Sequence, residues 1–200
     1  MDEPLVLDVR PLTPERMSDL AMLFDQGGDP KWCSCMYYRR RGMDFSNSTA
    51  ASNRAGLGSI AGDDPPPGLI GYRDGQAIGW VSLGPRSGYE RLVHSRVLAP
   101  VDDRPVWSIV CFVVGRAFRR QGVAAALLDA AIAHAREHGA VALEAYPADI
   151  APGTRIASAN AYMGTLAMFE RAGFTVVARR QMNASSPIRP IVRLELGGRH

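Results

Sequence analysis

Hydrophobic and polar residues follow two different periods along the first third of the chain. Residues 5–9 alternate between apolar and polar, which is typical of a strand. Residues 13–28 open with Thr-Pro-Glu, an N-cap followed by proline and an acidic first turn, and then repeat apolar positions at helical spacing. Residues 29–47 show no regular period, and residues 48–60 favour a second helix. The pattern therefore predicts a strand, a helix, an irregular segment and another helix.

The rest of the chain has the pattern of a hairpin followed by alternating strands and helices. Residues 69–73 and 76–83 flank an Asp-Gly dipeptide that is typical of tight turns. Residues 106–114 are almost continuously apolar, as in a strand buried on both faces, and residues 124–138 place apolar side chains along one side of a helix. The remaining predicted elements are a helix at residues 160–172 and strands at residues 141–146, 174–180 and 188–196. This order indicates one mixed α/β domain over residues 1–200.

Composition excludes several classes of protein. The chain has 200 residues, of which 46% are hydrophobic and 22% charged, as in an ordinary globular domain. No apolar run approaches the roughly 20 residues that cross a bilayer, and the first residues lack the pattern of a secretory signal. We therefore expect a cytoplasmic protein that does not enter membranes.

Charge and cysteine content add little to this picture. Lys31 is the single lysine among 23 basic residues, and the sequence pI is about 9.0. Nucleic acid is not the expected partner, because the arginines are neither stacked on one helix nor interleaved with aromatic residues. Cys33 and Cys35 lack the further ligands that a zinc site needs, so no metal is expected. They are expected to line a pocket wall or to pack with their aromatic neighbours.

An arginine-rich turn connects the apolar strand 106–114 to the helix 124–138. The first N–H groups of a helix lack partners within it and attract anions, and small residues let a phosphate approach the backbone. The turn lacks the Lys-Ser/Thr step of a mononucleotide P-loop and the spacing of a dinucleotide fingerprint. We therefore predict a diphosphate cradle at the following residues: Arg119, Arg120, Gln121, Gly122, Val123 and Ala124.

This turn resembles the cofactor motif of the GNAT superfamily of acyl-CoA-dependent N-acyltransferases, Gln/Arg-x-x-Gly-x-Gly/Ala. Arg119, Gly122 and Ala124 match it, and the family places the motif between its fourth strand and third helix. The Gly173-Phe174 step at the end of a later helix, and the predicted hairpin, also fit the family. The resemblance covers residues 65–182 well and residues 5–60 loosely.

The resemblance implies a GNAT-like fold with a mixed, mostly antiparallel sheet of about seven strands, flanked by helices and splayed between strands 4 and 5. The co-substrate would be acetyl-CoA or CoA. Its pantetheine arm would lie along strand 4, beside Phe112, Val113 and Val114, with backbone contacts from Phe112 and Val114. Its pyrophosphate would lie on residues 119–124.

The proton-transfer groups are less evident. The family often has a tyrosine, acting as acid, four residues before the glycine of the Gly-Phe step, but this chain has Phe169 there. Tyr162 and Tyr146 are the substitutes, of which Tyr162 is preferred. Glu144, within the fifth strand, is the candidate base, and its alternative is a solvent-facing or arginine-paired glutamate.

The predicted function is transfer of an acyl group, with acetyl expected, to the primary amine of a small molecule or peptide in a ternary complex. The alternative is a non-catalytic acyl-CoA sensor or interaction module of the same fold. The aromatic, cysteine-containing segment 29–47 suggests a partly apolar acceptor, and residues 39–41 either bind an acidic group or form a solvated loop. Asp102 and Asp103 are candidates for contacting an ammonium. Dimers are frequent in the family, so a homodimer is one of the open oligomeric states.

Overall fold

The computed structural model describes residues 7–149, 162–181, 183 and 188–197, and these form a single seven-stranded sheet. Its spatial order is β1-β2-β3-β4-β5-β7-β6, with every neighbouring pair antiparallel except β4 and β5. The strands are β1 Asp8–Pro11, β2 Gly68–Arg73, β3 Gln76–Pro85, β4 Trp107–Val114, β5 Ala142–Ala145, β6 Thr175–Arg180 and β7 Arg189–Glu195. The mixed α/β fold and the seven strands predicted from the sequence are confirmed.

Helices cover both faces of this sheet. On one face α6 packs against β2, β3 and β4, and on the other face α1 packs against β3. The helices are α1 Met17–Phe24, α2 Asp29–Cys33, α3 Gly42–Ser46, α4 Ala50–Ser59, α5 Glu90–Val93, α6 Val123–Glu137 and α7 Leu166–Arg171. Within the described part of the chain, no helix is both long and apolar enough to cross a membrane.

Two large side-chain clusters, and a smaller third one around Val110 and Tyr146, bury the faces of the sheet. The α6 side contains Leu127, Ala131 and Phe112, and the α1 side is centred on Trp80, which is fully buried against Phe24. The continuous apolar run of β4 is explained by this arrangement, because its side chains enter clusters on both faces of the sheet, with a bulge between Ile109 and Cys111. The hairpin prediction is also correct: Asp74 and Gly75 both have positive φ, as the tight turn requires.

Three segments differ from the sequence expectation. The first is residues 29–47, predicted to be irregular, which contain α2 and α3, and the second is the segment after β3, which contains α5. The third is the helix predicted for residues 160–172, which starts only at Leu166, because the Thr165 side chain caps it by accepting from Met168 and Gly164 has a φ of 74°. Residues 160 and 161, and residues 5 and 6 of the first strand, lie outside the described residues.

The strands β4 and β5 pair only over a short distance. Trp107, Ser108 and Ile109 pair with Leu143, Glu144 and Ala145, and no β5 pairing extends to the rest of β4. The last five residues of β4 therefore have β3 on one side and an edge that β5 does not cover on the other. This is the separation that the sequence resemblance implies between strands 4 and 5.

A half-buried histidine within α6 makes the stability of this fold sensitive to acid. His134 lies beside Trp107 and His138, with ring centroids 6.2 and 4.1 Å away. Burial, followed by the neighbouring His138, lowers the pKa of His134 to about 4, although Glu137 and Asp64 act in the opposite direction. His134 therefore binds a proton near pH 6.5 in the unfolded chain but only near pH 4 in the folded chain. Stability from this site is complete above pH 6.5 and is lost as the pH falls towards 4.

We expect the free energy of unfolding to fall less between pH 7.5 and pH 5 in His134→Gln than in the parent chain. Urea unfolding at both pH values measures this difference. His94→Gln is the matched control, because His94 is exposed and pairs with Glu90 at 3.3 Å. An unchanged pH dependence in His134→Gln would show that His134 titrates normally.

Candidate active site

The turn between β4 and α6 presents open main-chain N–H groups at the start of a 15-residue helix. Arg120 and Gly122 take left-handed backbone angles, with φ of 62° and 84°, immediately before the helix. The helix's first hydrogen bond is donated by Ala126 to Gly122, so the N–H groups of residues 123–125 have no acceptor one turn earlier. Together with the helix dipole they form a site that attracts anions.

Gly122 keeps the space in front of these groups open. It is exposed, and a Cβ built on it would meet no atom within 4 Å in the part of the chain that the structure describes. Its positive φ also favours glycine over residues with a side chain. A pyrophosphate fits this turn, because its oxygens can approach the backbone without displacing a side chain.

The side chains of the turn add positive charge and hold its shape. Arg119 and Arg120 are exposed, and neither makes an ion pair with the described residues. Arg119 Nε donates to the carbonyl of Val114 over 3.3 Å. Gln121 donates to the carbonyl of Ala117 over 2.8 Å, which braces the turn. Residues 119–122 of the predicted cradle are thus exposed at the start of α6, whereas the Val123 side chain is buried in the core and leaves only its main-chain N–H for a ligand.

The main chain of β4 alternates between its two neighbours. The N–H of Gly115 donates to Ile78 of β3, and Val113 pairs with Trp80 of the same strand. By the two-residue period, the N–H groups of Phe112 and Val114 point the other way, toward the uncovered edge. Val113 therefore contributes its main chain to β3, which corrects the expectation that it contacts the cofactor, whereas Val114 has the predicted orientation.

The chain itself occupies part of the gap between β4 and β5. The N–H of Phe112 donates to the carbonyl of Tyr162 over 2.7 Å, and the N–H of Ala148 donates to Gly164 over 3.3 Å. Residues 162–166 therefore lie between β4 and the segment that follows β5. In this structure the contact predicted between Phe112 and the pantetheine arm requires the bond to Tyr162 to break.

A cavity of about 1410 Å³ adjoins the same part of β4. Its wall includes Val110 and Cys111 from β4, the Tyr162 side chain, and parts of α2, α3 and the segment after α5. The segment 29–47, whose composition suggested a pocket wall, does line it. The cavity adjoins Val110 and Cys111, and the cradle follows Val114, so the two lie along the same strand with Tyr162, bonded to Phe112, between them.

The three cysteines line this cavity. Cys35 is buried and accepts a hydrogen bond of 3.1 Å from the Trp80 indole nitrogen. Burial raises the pKa of Cys33 to about 12, and a hydrogen bond with Cys35, then burial, raise the pKa of Cys111. A protonated thiol is a poor nucleophile. Among the described residues, no cluster of His, Cys, Asp and Glu could hold a metal ion.

Glu144 forms a buried ion pair. It is 1% exposed, and Arg193, opposite it on β7, donates to its Oε1 from Nε and Nη2 over 3.1 and 2.7 Å. The arginine also holds Asp102, whose pKa it lowers through a hydrogen bond. Of the alternatives that the sequence left open, the structure shows the arginine-paired glutamate. Glu144 and Asp102 do not line the cavity, so neither is placed to act as base or to contact an ammonium there.

The two candidate tyrosines have different surroundings. The Tyr146 hydroxyl is buried and shares a hydrogen bond of 2.8 Å with Ser108. Tyr162 lines the cavity, and a Cβ built on Gly28 would lie 2.5 Å from its hydroxyl oxygen. Burial, followed by the Asp29 carboxylate, raises the pKa of Tyr162, so that the hydroxyl carries its proton at neutral pH. The position of Tyr162 fits the predicted acid better than that of Tyr146, although it lies in a turn and not on a helix.

Phe169 stands where the sequence resemblance would place a tyrosine. Its ring is fully buried between Phe112 and Phe174, with centroids 6.1 and 5.1 Å away. It therefore packs in the core and offers no donor.

Sequence reasoning missed two contributors to these sites. Arg193 was not singled out, because its partner Glu144 lies on a strand 49 residues away. Asp29 was also missed, because the short helix that carries it was not predicted. The charged residue inside the strand pattern Val-Arg-Leu was the available signal for Arg193.

Comparisons with known proteins agree with this architecture. The sequence matches the family model for the acetyltransferase (GNAT) family over residues 32–174, whereas no match was found among curated proteins. The fold is similar to that of the polyamine N-acetyltransferase of Drosophila melanogaster, with 12% identity and a TM-score of 0.59, covering 96% of this chain and 100% of that one.

Two further solved structures share the fold. A GNAT-family acetyltransferase from Streptococcus pneumoniae has 15% identity and a TM-score of 0.55, over 96% of this chain and 100% of that one. The PaiA N-acetyltransferase of Thermoplasma acidophilum, in complex with coenzyme A, has 11% identity and a TM-score of 0.53, over 96% and 99%. At these identities the structures show the fold alone, but the family model spans most of the sequence. The chain is therefore a member of the GNAT acetyltransferase family.

Proposed function

We propose that this protein transfers an acetyl group from acetyl-CoA to a primary amine by direct attack in a ternary complex. The observation that carries the proposal is that the open start of α6 and the 1410 Å³ cavity lie along the same strand, β4, whose last residues β5 does not cover. A carrier held at one end by its phosphates would reach the cavity with its other end. A structural neighbour bound to coenzyme A supports this choice of carrier.

The chain's own residues would divide the binding between them. The N–H groups of residues 123–125 would hold the pyrophosphate, aided by the guanidinium groups of Arg119 and Arg120. The Val114 N–H, which faces the uncovered edge, would hold an amide of the pantetheine arm. When bound, acetyl-CoA supplies a thioester carbonyl that an amine can attack.

Tyr162 would protonate the departing thiolate. The amine nitrogen forms a bond to the carbonyl carbon and the carbon–sulfur bond breaks. Tyr162 gives its proton to the thiolate and takes up the proton that the nitrogen loses, so that one proton passes from the amine to sulfur. The Tyr162 hydroxyl is protonated and lies beside Gly28 at the cavity wall, and its main-chain carbonyl accepts from Phe112 of β4. It is therefore suited to donate the proton to sulfur.

We expect Tyr162→Phe to lower kcat about a hundredfold with little change in CoA affinity. The reason is that the variant loses the donor and keeps the ring and the main-chain contact to Phe112. Thiol release from acetyl-CoA, together with CoA titration, gives both quantities. Tyr146→Phe is the control, because its hydroxyl is bonded to Ser108 away from the cavity. Equal losses of kcat in the two variants would remove Tyr162 as the acid.

A non-catalytic acyl-CoA sensor is the second candidate. Phe169 at the family's tyrosine position and the bond between Phe112 and Tyr162 favour it. Assaying thiol release across a broad panel of amines separates the two functions. Turnover with any amine above the hydrolysis rate supports the transferase, whereas CoA binding without turnover across the panel supports the sensor.

A further inference from the structure

The cavity beside β4 has an excess of positive charge. Asp29 is the one carboxylate among the described residues that line it, against four arginines: Arg41, Arg91, Arg96 and Arg189. Arg41 and Arg96 are both exposed. Such a concentration of one sign of charge at a concave surface attracts ligands of the opposite sign.

Nearby carboxylates do not neutralise this excess. Asp44 pairs with Arg40 at 3.8 Å, and Glu90 pairs with His94 at 3.3 Å. Arg41, Arg91 and Arg96 make no ion pair with any residue in the described ranges. Their charges are therefore available to a ligand in the cavity.

An aromatic wall holds one of these arginines in place. The Tyr37 and Phe45 rings pack edge to face at 5.3 Å, and Trp32 packs on Phe45 at 4.9 Å. The Arg91 guanidinium lies 4.0 Å from the Tyr37 ring centroid, and its Nε donates to the Tyr37 carbonyl. Trp32 and Tyr37 remain 42% and 44% exposed, which is high for such large apolar groups. The wall thus offers a ligand apolar contact beside a fixed cation.

The single carboxylate lies at the reacting end. Asp29 follows Gly28, on which a Cβ would lie 2.5 Å from the Tyr162 hydroxyl oxygen, and after burial its carboxylate raises the pKa of that hydroxyl. A substrate ammonium drawn to Asp29 would lie next to the proposed acid. The cavity therefore provides one carboxylate for an amine and several arginines for a different part of the same molecule.

We propose that the acceptor is a small amine that also carries an anionic group, a carboxylate or a phosphate, on an aromatic or apolar framework. Arg41, Arg91 and Arg96 recognise the anion, the wall of Trp32, Tyr37 and Phe45 contacts the framework, and Asp29 orients the amine. This inference rests on the proposed function and specifies its substrate class. Polyamines are disfavoured, because the arginines repel a second cation.

Two measurements test the inference. The first is kcat/KM for L-phenylalanine, phenylalaninamide, O-phosphoethanolamine and spermidine, followed by thiol release. We expect kcat/KM for an anionic amine to exceed kcat/KM for phenylalaninamide and for spermidine by about tenfold or more. The loss of a charge-assisted hydrogen bond would give a difference of this size.

The second measurement does not depend on turnover. Calorimetric titration, with CoA present, compares N-acetyl-L-phenylalanine and N-acetyl-O-phosphoethanolamine with N-acetyl-L-phenylalaninamide. We expect at least one anionic compound to bind about tenfold more tightly than the amide. Arg41→Gln and Arg96→Gln should reduce that preference. Arg136→Gln should leave it intact, because Arg136 is exposed on α6 and does not line the cavity.

The outcomes separate the two proposals. Equal binding of the anionic compounds and the amide, or a preference for spermidine, would overturn the anionic acceptor and leave the transferase standing. Anion-selective binding without turnover of any amine would overturn the transferase and support the anion site.

Discussion

Replacing Gly122 by glutamate is expected to abolish the stabilisation that CoA gives the folded protein. The new carboxylate would stand in the open space before residues 123–125, where no described atom lies within 4 Å of a Cβ. It would satisfy the N–H groups itself and repel the pyrophosphate. In the parent chain, CoA at 100 times its dissociation constant should add about 2.7 kcal/mol to the free energy of unfolding. We expect CoA to add nothing to the free energy of unfolding of Gly122→Glu, as measured by thermal shift and confirmed by titration calorimetry.

Two variants separate charge from backbone strain. Gly122→Ala has the same unfavourable φ of 84° without the carboxylate, so it should retain CoA binding. Gly139→Glu places the same side chain on a glycine with φ of 73° at the opposite end of α6. It should be destabilised similarly and still respond to CoA. A normal CoA response in Gly122→Glu would remove the start of α6 as the phosphate site.

Replacing Arg193 by methionine is expected to destabilise the fold by about 3–5 kcal/mol. The change leaves Glu144 buried, 1% exposed, without the guanidinium that donates to it, and it also frees Asp102. Urea unfolding measures the loss, and CoA binding should persist under conditions where the variant is folded. The pair links β5 to β7 where β5 also pairs with β4, so it stabilises the sheet without lining the cavity.

The double variant Glu144→Gln, Arg193→Met should recover part of this stability, because it no longer buries an unpaired charge. Arg104→Met is the control: its ion pair with Glu195 has a similar length of 2.7 Å but is exposed, so we expect a change of about 0–1 kcal/mol. A loss below about 1 kcal/mol in Arg193→Met would show that Glu144 finds another partner or a proton.

The sequence predicted those elements whose own residues carry a clear hydrophobic period and a capping signal. Helix α6 was predicted because its apolar residues recur on one side and a glycine follows it. The short helices α2 and α3 lack such a pattern, since distant contacts stabilise them: Asn53 donates to the Trp32 carbonyl over 3.1 Å, and Trp32 packs on Phe45. A single sequence contains no record of these contacts.

The candidate site likewise has a local part that the sequence predicted and a part that depends on the tertiary fold. The turn at residues 119–124 is a local feature, so spacing alone located it. The partner of Glu144 depends on the spatial order of β5 and β7, which periodicity does not reveal, and the chain's occupation of the β4 edge depends on where Tyr162 returns to the sheet. The cavity beside β4 combines residues from five segments, of which the sequence analysis had singled out the segment 29–47 and Tyr162.

Hydrogen exchange with and without acetyl-CoA tests the central claim most directly, because it reports on the main-chain N–H groups to which the account assigns phosphate binding. We predict that bound acetyl-CoA slows exchange in residues 119–126 and at the end of β4. Unchanged exchange of residues 119–126 at saturating acetyl-CoA, with protection elsewhere, would contradict the account.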